Sequence, residues 1–142
     1  MNVFEVLKQD HQKARTLFSK LEETSSGAKV TREKLFNQLK DSLLMHAKAE
    51  EKLFYPKINK DPAKDQVKEA YDEHHEVEAL LKKMGKMAVD SDQWMEQLHQ
   101  LKDMVEHHVK EEEEEIFKQA QKMLGAEQIE KIGDDVKKFE SH

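Results

Sequence analysis

Apolar residues recur at helical spacing in five segments of this chain, and in four of them a histidine sits inside the apolar stripe. Side chains three and four residues apart share one face of a helix. In the first segment Phe4, Leu7, Ala14, Phe18 and Leu21 flank His11. In the second Leu39, Leu43 and Phe54 flank His46 and Glu50. Ala70, Val77, Leu81 and Met84 surround His74 in the third, and Leu98, Leu101, Val105 and Ile116 surround His108 and Glu112 in the fourth. Ile129, Ile132, Val136 and Phe139 form a shorter fifth stripe without histidine, weakened by Gly133.

The first helix is expected from Asn2, in a capping box with Glu5, to about Glu23, where Thr24-Ser25-Ser26-Gly27 breaks it. The second runs from near Thr31 to about Tyr55, and Pro56 is expected to end or kink it. The third opens with Asp61 as N-cap and Pro62 at the first helical position. The fourth starts at Asp90 or Ser91 and stops before Gly125. Short connections favour antiparallel neighbours. The expected fold is all-α: an antiparallel up-down-up-down four-helix bundle over about 2–124, with a short C-terminal fifth helix over about 126–140. At 142 residues the chain reads as a single domain, 1–142.

A weak internal repeat runs through the bundle. Asp10-His11 and Glu73-His74 precede similar apolar patterns, and His46-Ala-Lys-Ala-Glu50 is matched by His108-Val-Lys-Glu-Glu112. At about 1.5 Å per residue, His11 and His46 lie roughly 18 and 22 Å from the turn that joins their helices. His46 and His74 lie roughly 15 and 18 Å from the next turn, and His74 and His108 roughly 21 and 24 Å from the last. All four histidines are thus expected at one depth. In the doublets, His74 aligns with Val77, Leu81 and Met84, and His108 with Leu101, Met104 and Val105, so His75 and His107 face solvent.

A lone histidine on an apolar face is ordinarily a core residue bonded to a neighbour. Four at one depth, two of them followed one turn later by an inward carboxylate, point instead to a dinuclear metal site, because such polar groups are costly to bury unsatisfied. Imidazole and carboxylate without thiolate suit iron or manganese, and zinc less specifically. Two octahedral ions offer about twelve positions. Four imidazoles and two bridging carboxylates fill eight, and a bridging oxo or hydroxo group two more, which leaves room for a small ligand. Met45, Met84, Met87, Met95 and Met104 read as packing. Glu96-Gln-Leu-His99 points away from the site, and His99, His142, Tyr55, Tyr71 and Trp94 receive no role.

Composition narrows the rest. A net charge of −6 argues against nucleic acid, whose binding needs clustered Lys and Arg. The absence of cysteine removes disulfides and thiolate chemistry. Met1-Asn2-Val3-Phe4-Glu5 does not open a signal peptide, and no stretch approaches the ~20 apolar residues that cross a bilayer. The expected setting is cytoplasmic, without a membrane partner, as a monomer or weak homo-oligomer.

Four ordered pieces resemble the hemerythrin-like, HHE cation-binding family. They are Asp10-His11, His46-Ala-Lys-Ala-Glu50-Glu51-Lys-Leu-Phe-Tyr-Pro56, Glu73-His74 and His108-Val-Lys-Glu-Glu112-Glu113-Glu-Glu-Ile-Phe117, over about residues 3–120. The resemblance implies a non-haem centre of two iron ions bridged by Glu50 and Glu112, with His11, His46, His74 and His108 as terminal ligands. It implies a carrier or sensor that binds dioxygen or a related small molecule. The alternatives are turnover of peroxide or nitric oxide, and an iron-responsive regulatory module. The chain departs from the oxygen carriers of that family: Glu78 stands where they have a second histidine, Glu112 where they have aspartate at longer spacing, and Lys118 where proline is usual. The missing fifth histidine opens one metal position, which Glu78 or water could fill.

Overall fold

The computed structural model describes residues 1–141, so the reading of His142 lies outside the described residues. Among them the regular structure is helical: α1 (Val3–Glu22), α2 (Lys29–Ala49), α3 (Tyr55–Ile58), α4 (Lys64–Met84), α5 (Asp92–Glu111), α6 (Phe117–Met123) and α7 (Ala126–Glu140). Two π-helical turns, Glu50–Phe54 and Glu112–Ile116, run α2 into α3 and α5 into α6. The chain therefore forms five rods, four in the expected bundle and a fifth, α7, laid against α1 and α2. None of the described helices is long and apolar enough to cross a membrane.

Local chemistry sets the ends. Asn2 Oδ1 accepts from the Glu5 N–H at 2.9 Å, and Ser91 Oγ accepts from the Trp94 N–H at 3.1 Å, which satisfies donors that a helix start leaves free. One expected boundary differs. Asp61-Pro62 does not open the third helix: it sits in a turn closed by the Ala63 N–H donating to the Lys60 carbonyl at 2.9 Å, and α4 starts only after Ala63. Pro56 stands where the second rod was expected to end or kink, two residues before α3 stops at Ile58. It falls in the first turn of α3, where a missing N–H costs little, and the distortion lies ahead of it in the π turn. Proline cannot supply the N–H that a π turn would offer the Glu51 carbonyl, and the Tyr71 hydroxyl donates to that carbonyl at 3.4 Å.

The core has two apolar clusters, one on each side of the level where the histidines lie. One holds Phe4, Leu7, Phe54, Tyr55, Phe117 and residues of α7; the other holds Phe18, Phe36, Leu39, Trp94, Leu98 and Leu101. Gly133 explains its place in α7. A Cβ there would lie 2.2 Å from the Met1 carbonyl oxygen and 2.6 Å from the Val3 nitrogen, so only glycine lets α7 approach the start of α1 this closely.

Candidate metal centre

Each of the four bundle rods delivers one buried imidazole to a common level: His11 from α1, His46 from α2, His74 from α4 and His108 from α5. Glu50 and Glu112, both fully buried, are the first residues of the two π turns. In each turn the donor five residues on, Tyr55 N–H or Phe117 N–H, bonds the glutamate's own carbonyl. The extra residue per turn brings both the fourth and the fifth residue inward, so Phe54 with Tyr55 and Ile116 with Phe117 are all buried. Such π turns recur at functional positions.

All six expected site residues are brought together. Glu112 presents Oε1 to His11 Nε2 at 3.1 Å and Oε2 to His108 Nε2 at 3.5 Å. Glu50 Oε1 lies 3.1 Å from His74 Nε2 and 3.2 Å from His46 Nε2. The donor atoms fall into two groups able to hold an ion, His11 with His46, Glu50 and Glu112, and His74 with His108 and Glu50. The doublets resolve as expected, with His75 and His107 exposed. His99 is exposed and faces Glu22, and Glu78 is half-buried, paired with Lys82 at 3.4 Å and outside both groups.

A ring of acids surrounds the imidazoles, and the sequence reading missed it. Asp10 accepts from His46 Nδ1, Glu51 from His74 Nδ1, Glu73 from His108 Nδ1 and Glu113 from His11 Nδ1, each at 2.7 Å. Every rod thus supplies one histidine and one acid, and its acid holds the histidine of the next rod around the bundle. With Nδ1 engaged outward, every Nε2 is turned to the centre, the arrangement typical of metal-binding histidines. A signal was available: the repeat that pairs Glu73-His74 with Asp10-His11 also pairs Glu113 with Glu51. Tyr55 was missed too. Its hydroxyl is buried and donates to both Glu50 Oε1, at 3.1 Å, and Glu112 Oε2.

The donor set fits a metal. His46 Nε2 and Glu50 Oε2 are buried without a hydrogen-bond partner, and the Nε2 atoms of His74 and His108 face each other at 3.2 Å. Among the described residues, no lysine or arginine is ion-paired with Asp10, Glu50, Glu51, Glu73, Glu112 or Glu113. The carboxylates act instead on the imidazoles they face. Burial alone would push His46 down, but the Glu50 charge and the Asp10 bond outweigh it and hold the ring well above the ordinary histidine value. His108 is likewise held well above it against burial, by the Glu112 and Glu50 carboxylates it faces and by its bond to Glu73. Burial would raise Glu50, yet the charge of His46 keeps its carboxyl well below the usual range. Tyr55 is pushed well above its usual value by burial and by the Glu112 and Glu50 charges, so its phenol stays a proton donor. At the edge of the site, burial and the neighbouring Asp10 raise Glu140 to about 8.

Comparison with known proteins gives a family and a fold. The family model for the hemerythrin HHE cation binding domain matches residues 2–120. A protein of Nostoc sp. named DNA nickase is 30% identical over 141 residues, 99% of this chain, and the chain spans 40% of that relative's length. The crystal structure of a hemerythrin HHE cation binding domain-containing protein from Mycobacterium kansasii superposes with a TM-score of 0.86 at 23% identity, covering 99% of this chain and 88% of the other. That likeness speaks to the fold, and the family model to the motifs. With its four histidines and two glutamates in the matched span, this chain belongs to the hemerythrin HHE cation-binding family.

Proposed function

We propose that His11, His46, His74, His108, Glu50 and Glu112 hold two metal ions, iron in preference to manganese or zinc, and that the centre binds dioxygen or a related small molecule. The observation that carries this reading is the unpartnered donor set: four buried imidazoles and two fully buried glutamates converge in two ion-sized groups, with His46 Nε2 and Glu50 Oε2 left without a hydrogen-bond partner. Nitrogen and oxygen donors without sulfur suit iron and manganese. Glu112, with one oxygen toward His11 and the other toward His108, is placed to serve both ions. Two such ions, when bound, supply reversible electron transfer to a small ligand. The chain's residues do the rest: the acid ring fixes the imidazole tautomers and raises their basicity, and the Tyr55 hydroxyl holds the two carboxylates in place.

Elemental analysis of protein from iron-supplemented cells tests the assignment. About two irons per chain is the expected result. Less than about a tenth of a metal per chain after anaerobic reconstitution with ferrous iron overturns it.

A second reading is turnover of peroxide or nitric oxide at the same centre. It is favoured by Glu78, which faces the space beside the histidines where the oxygen carriers have a fifth imidazole. Stoichiometric uptake separates a carrier or sensor from an enzyme, which consumes its substrate continuously. Strand nicking, the activity in the Nostoc relative's name, is not carried over, because this chain spans a minority of that protein and carries a net charge of −6. We place the chain in the cytoplasm as a single domain, 1–142, monomeric or weakly self-associating.

A further inference from the structure

The histidine level separates two unlike surroundings. On one side the Glu50 and Glu112 carboxylates are backed by Tyr55 and by Phe4, Phe54 and Phe117, whose rings pack edge to face or tilted. On the other side lies a cavity of about 280 Å³. All four inward histidines line it, and neither Glu50 nor Glu112 does. Its apolar walls are small or branched, with Ala14, Leu43, Ala47, Val77, Val105 and Val109. The layers farther along the same cluster carry the larger Phe18, Leu39, Trp94 and Leu98 instead, each fully buried. The void therefore arises from the choice of small side chains at one level.

Its size exceeds what a diatomic needs. One water accounts for about 30 Å³ of the liquid, and an apolar cavity of about 150 Å³ holds benzene. A diatomic, close to water in size, would fill about a tenth of this space. A molecule of about ten non-hydrogen atoms would fill it on the same scale. Charge narrows the class. Asp10 and Glu51 in the lining already hold His46 and His74, and the remaining charged groups, Lys48 and Glu78, stand at the rim. Away from the histidine level, Ala14, Leu43, Val77, Val105 and Val109 offer no group to pair with a charge, so a ligand whose body lies against them loses least hydration when that body is neutral. Its most exposed lining residues come from α2 and α4: Lys48 is exposed, and Ser42 and Glu78 are half-buried.

We propose that this cavity binds a neutral organic molecule of about ten non-hydrogen atoms, with its apolar body against the leucine and valine walls and one hydroxyl or hydroperoxide oxygen turned toward the histidine level. The proposal rests on the metal reading only for what that oxygen meets.

Calorimetric titration of the full chain with 1-alkanols from ethanol to 1-dodecanol, with and without ferrous iron, tests it. Affinity should rise about fourfold per added methylene until about ten non-hydrogen atoms and then fall. Val77→Phe and Val105→Phe fill the space, and each should weaken 1-octanol binding at least about tenfold, in line with that dependence. Metal content and near-ultraviolet circular dichroism, measured on the same samples, should not change. Cumene hydroperoxide should bind with the same sensitivity to Val77→Phe; its continuous conversion to cumyl alcohol and water, with added ascorbate supplying the two electrons per turnover, would identify the hydroperoxide as the ligand, and unchanged retention the alcohol. Affinity independent of chain length, or equal in parent and filled variants that retain metal, overturns the proposal. Length-dependent binding to protein that takes up no metal would keep the cavity assignment and overturn the metal reading instead.

Discussion

Replacing Glu73 by Gln tests the acid ring at its most sheltered point. Glu73 accepts from His108 Nδ1 at 2.7 Å, and its side chain is 16% exposed, against 21% for Asp10, 27% for Glu113 and 30% for Glu51. Glutamine keeps the shape and an acceptor oxygen, so the variant removes charge and little else. Loss of the outer partner of a metal-binding histidine costs about 10- to 100-fold in affinity, or about 1.4 to 2.7 kcal/mol. Water screens and replaces an exposed partner more readily than a covered one. The expected order of loss is therefore Glu73→Gln first, then Asp10→Asn, Glu113→Gln and Glu51→Gln, with the first near the upper end and the last near the lower. Anaerobic competition for ferrous iron against a chromophoric chelator measures it. Nitrogen NMR of the imidazoles adds a sharper readout, because Glu73 is next to His74 in the chain but holds His108 in space. Glu73→Gln should move the His108 Nδ1 signal and leave that of His74 in place. Affinities within about twofold of the parent in all four variants, set against the range expected for such partners, would falsify the ring, as would a shift at His74 alone.

Glu50→Ala or Glu112→Ala should abolish metal binding, while His75→Ala and His107→Ala retain it; full iron content in either glutamate variant would defeat the shared-carboxylate assignment. Tyr55→Phe removes the donor shared by two buried carboxylates and should destabilise the metal-free protein by about 1–3 kcal/mol in urea unfolding; an unchanged midpoint would mean that water already serves those oxygens. Gly133→Ala should lower stability by about 1–3 kcal/mol through the clash with the Met1–Val3 backbone, although alanine is the better helix former by about 1 kcal/mol. A stabilised variant would show that α7 does not lie this close to α1. Metal-loaded protein should melt above metal-free protein, since ions bound only by the folded state add to its stability; equal melting temperatures would count against a folded-state site.

Much of this protein was legible in one dimension. Helical period is a local property, so it could choose His74 over His75 and His108 over His107, and it could align Glu50 and Glu112 with the apolar stripes. Residue rise is local as well, which is why His11, His46, His74 and His108 could be assigned one depth before their neighbours were known. The boundary error at Asp61-Pro62 has a local cause: the usual rule for single residues makes it a helix start, while the backbone bond that places it joins Ala63 to Lys60.

What only the tertiary structure decided depends on how one rod is turned against the next. Glu73 beside His74 cannot be seen to hold His108 until α4 and α5 are packed, nor Glu113 to hold His11 until the bundle closes. Tyr55 reaches Glu50 and Glu112 only because the π turn rotates it inward by one extra residue, a backbone choice that periodicity at 3.6 residues does not contain. The cavity likewise is a difference between facing side chains of four rods, and a stripe of alanine and valine on any one of them reads as ordinary core. Sequence determined which groups turn inward because that follows from rotation about a single axis. Their partners, and the space between them, were decided by the angles and registers among axes.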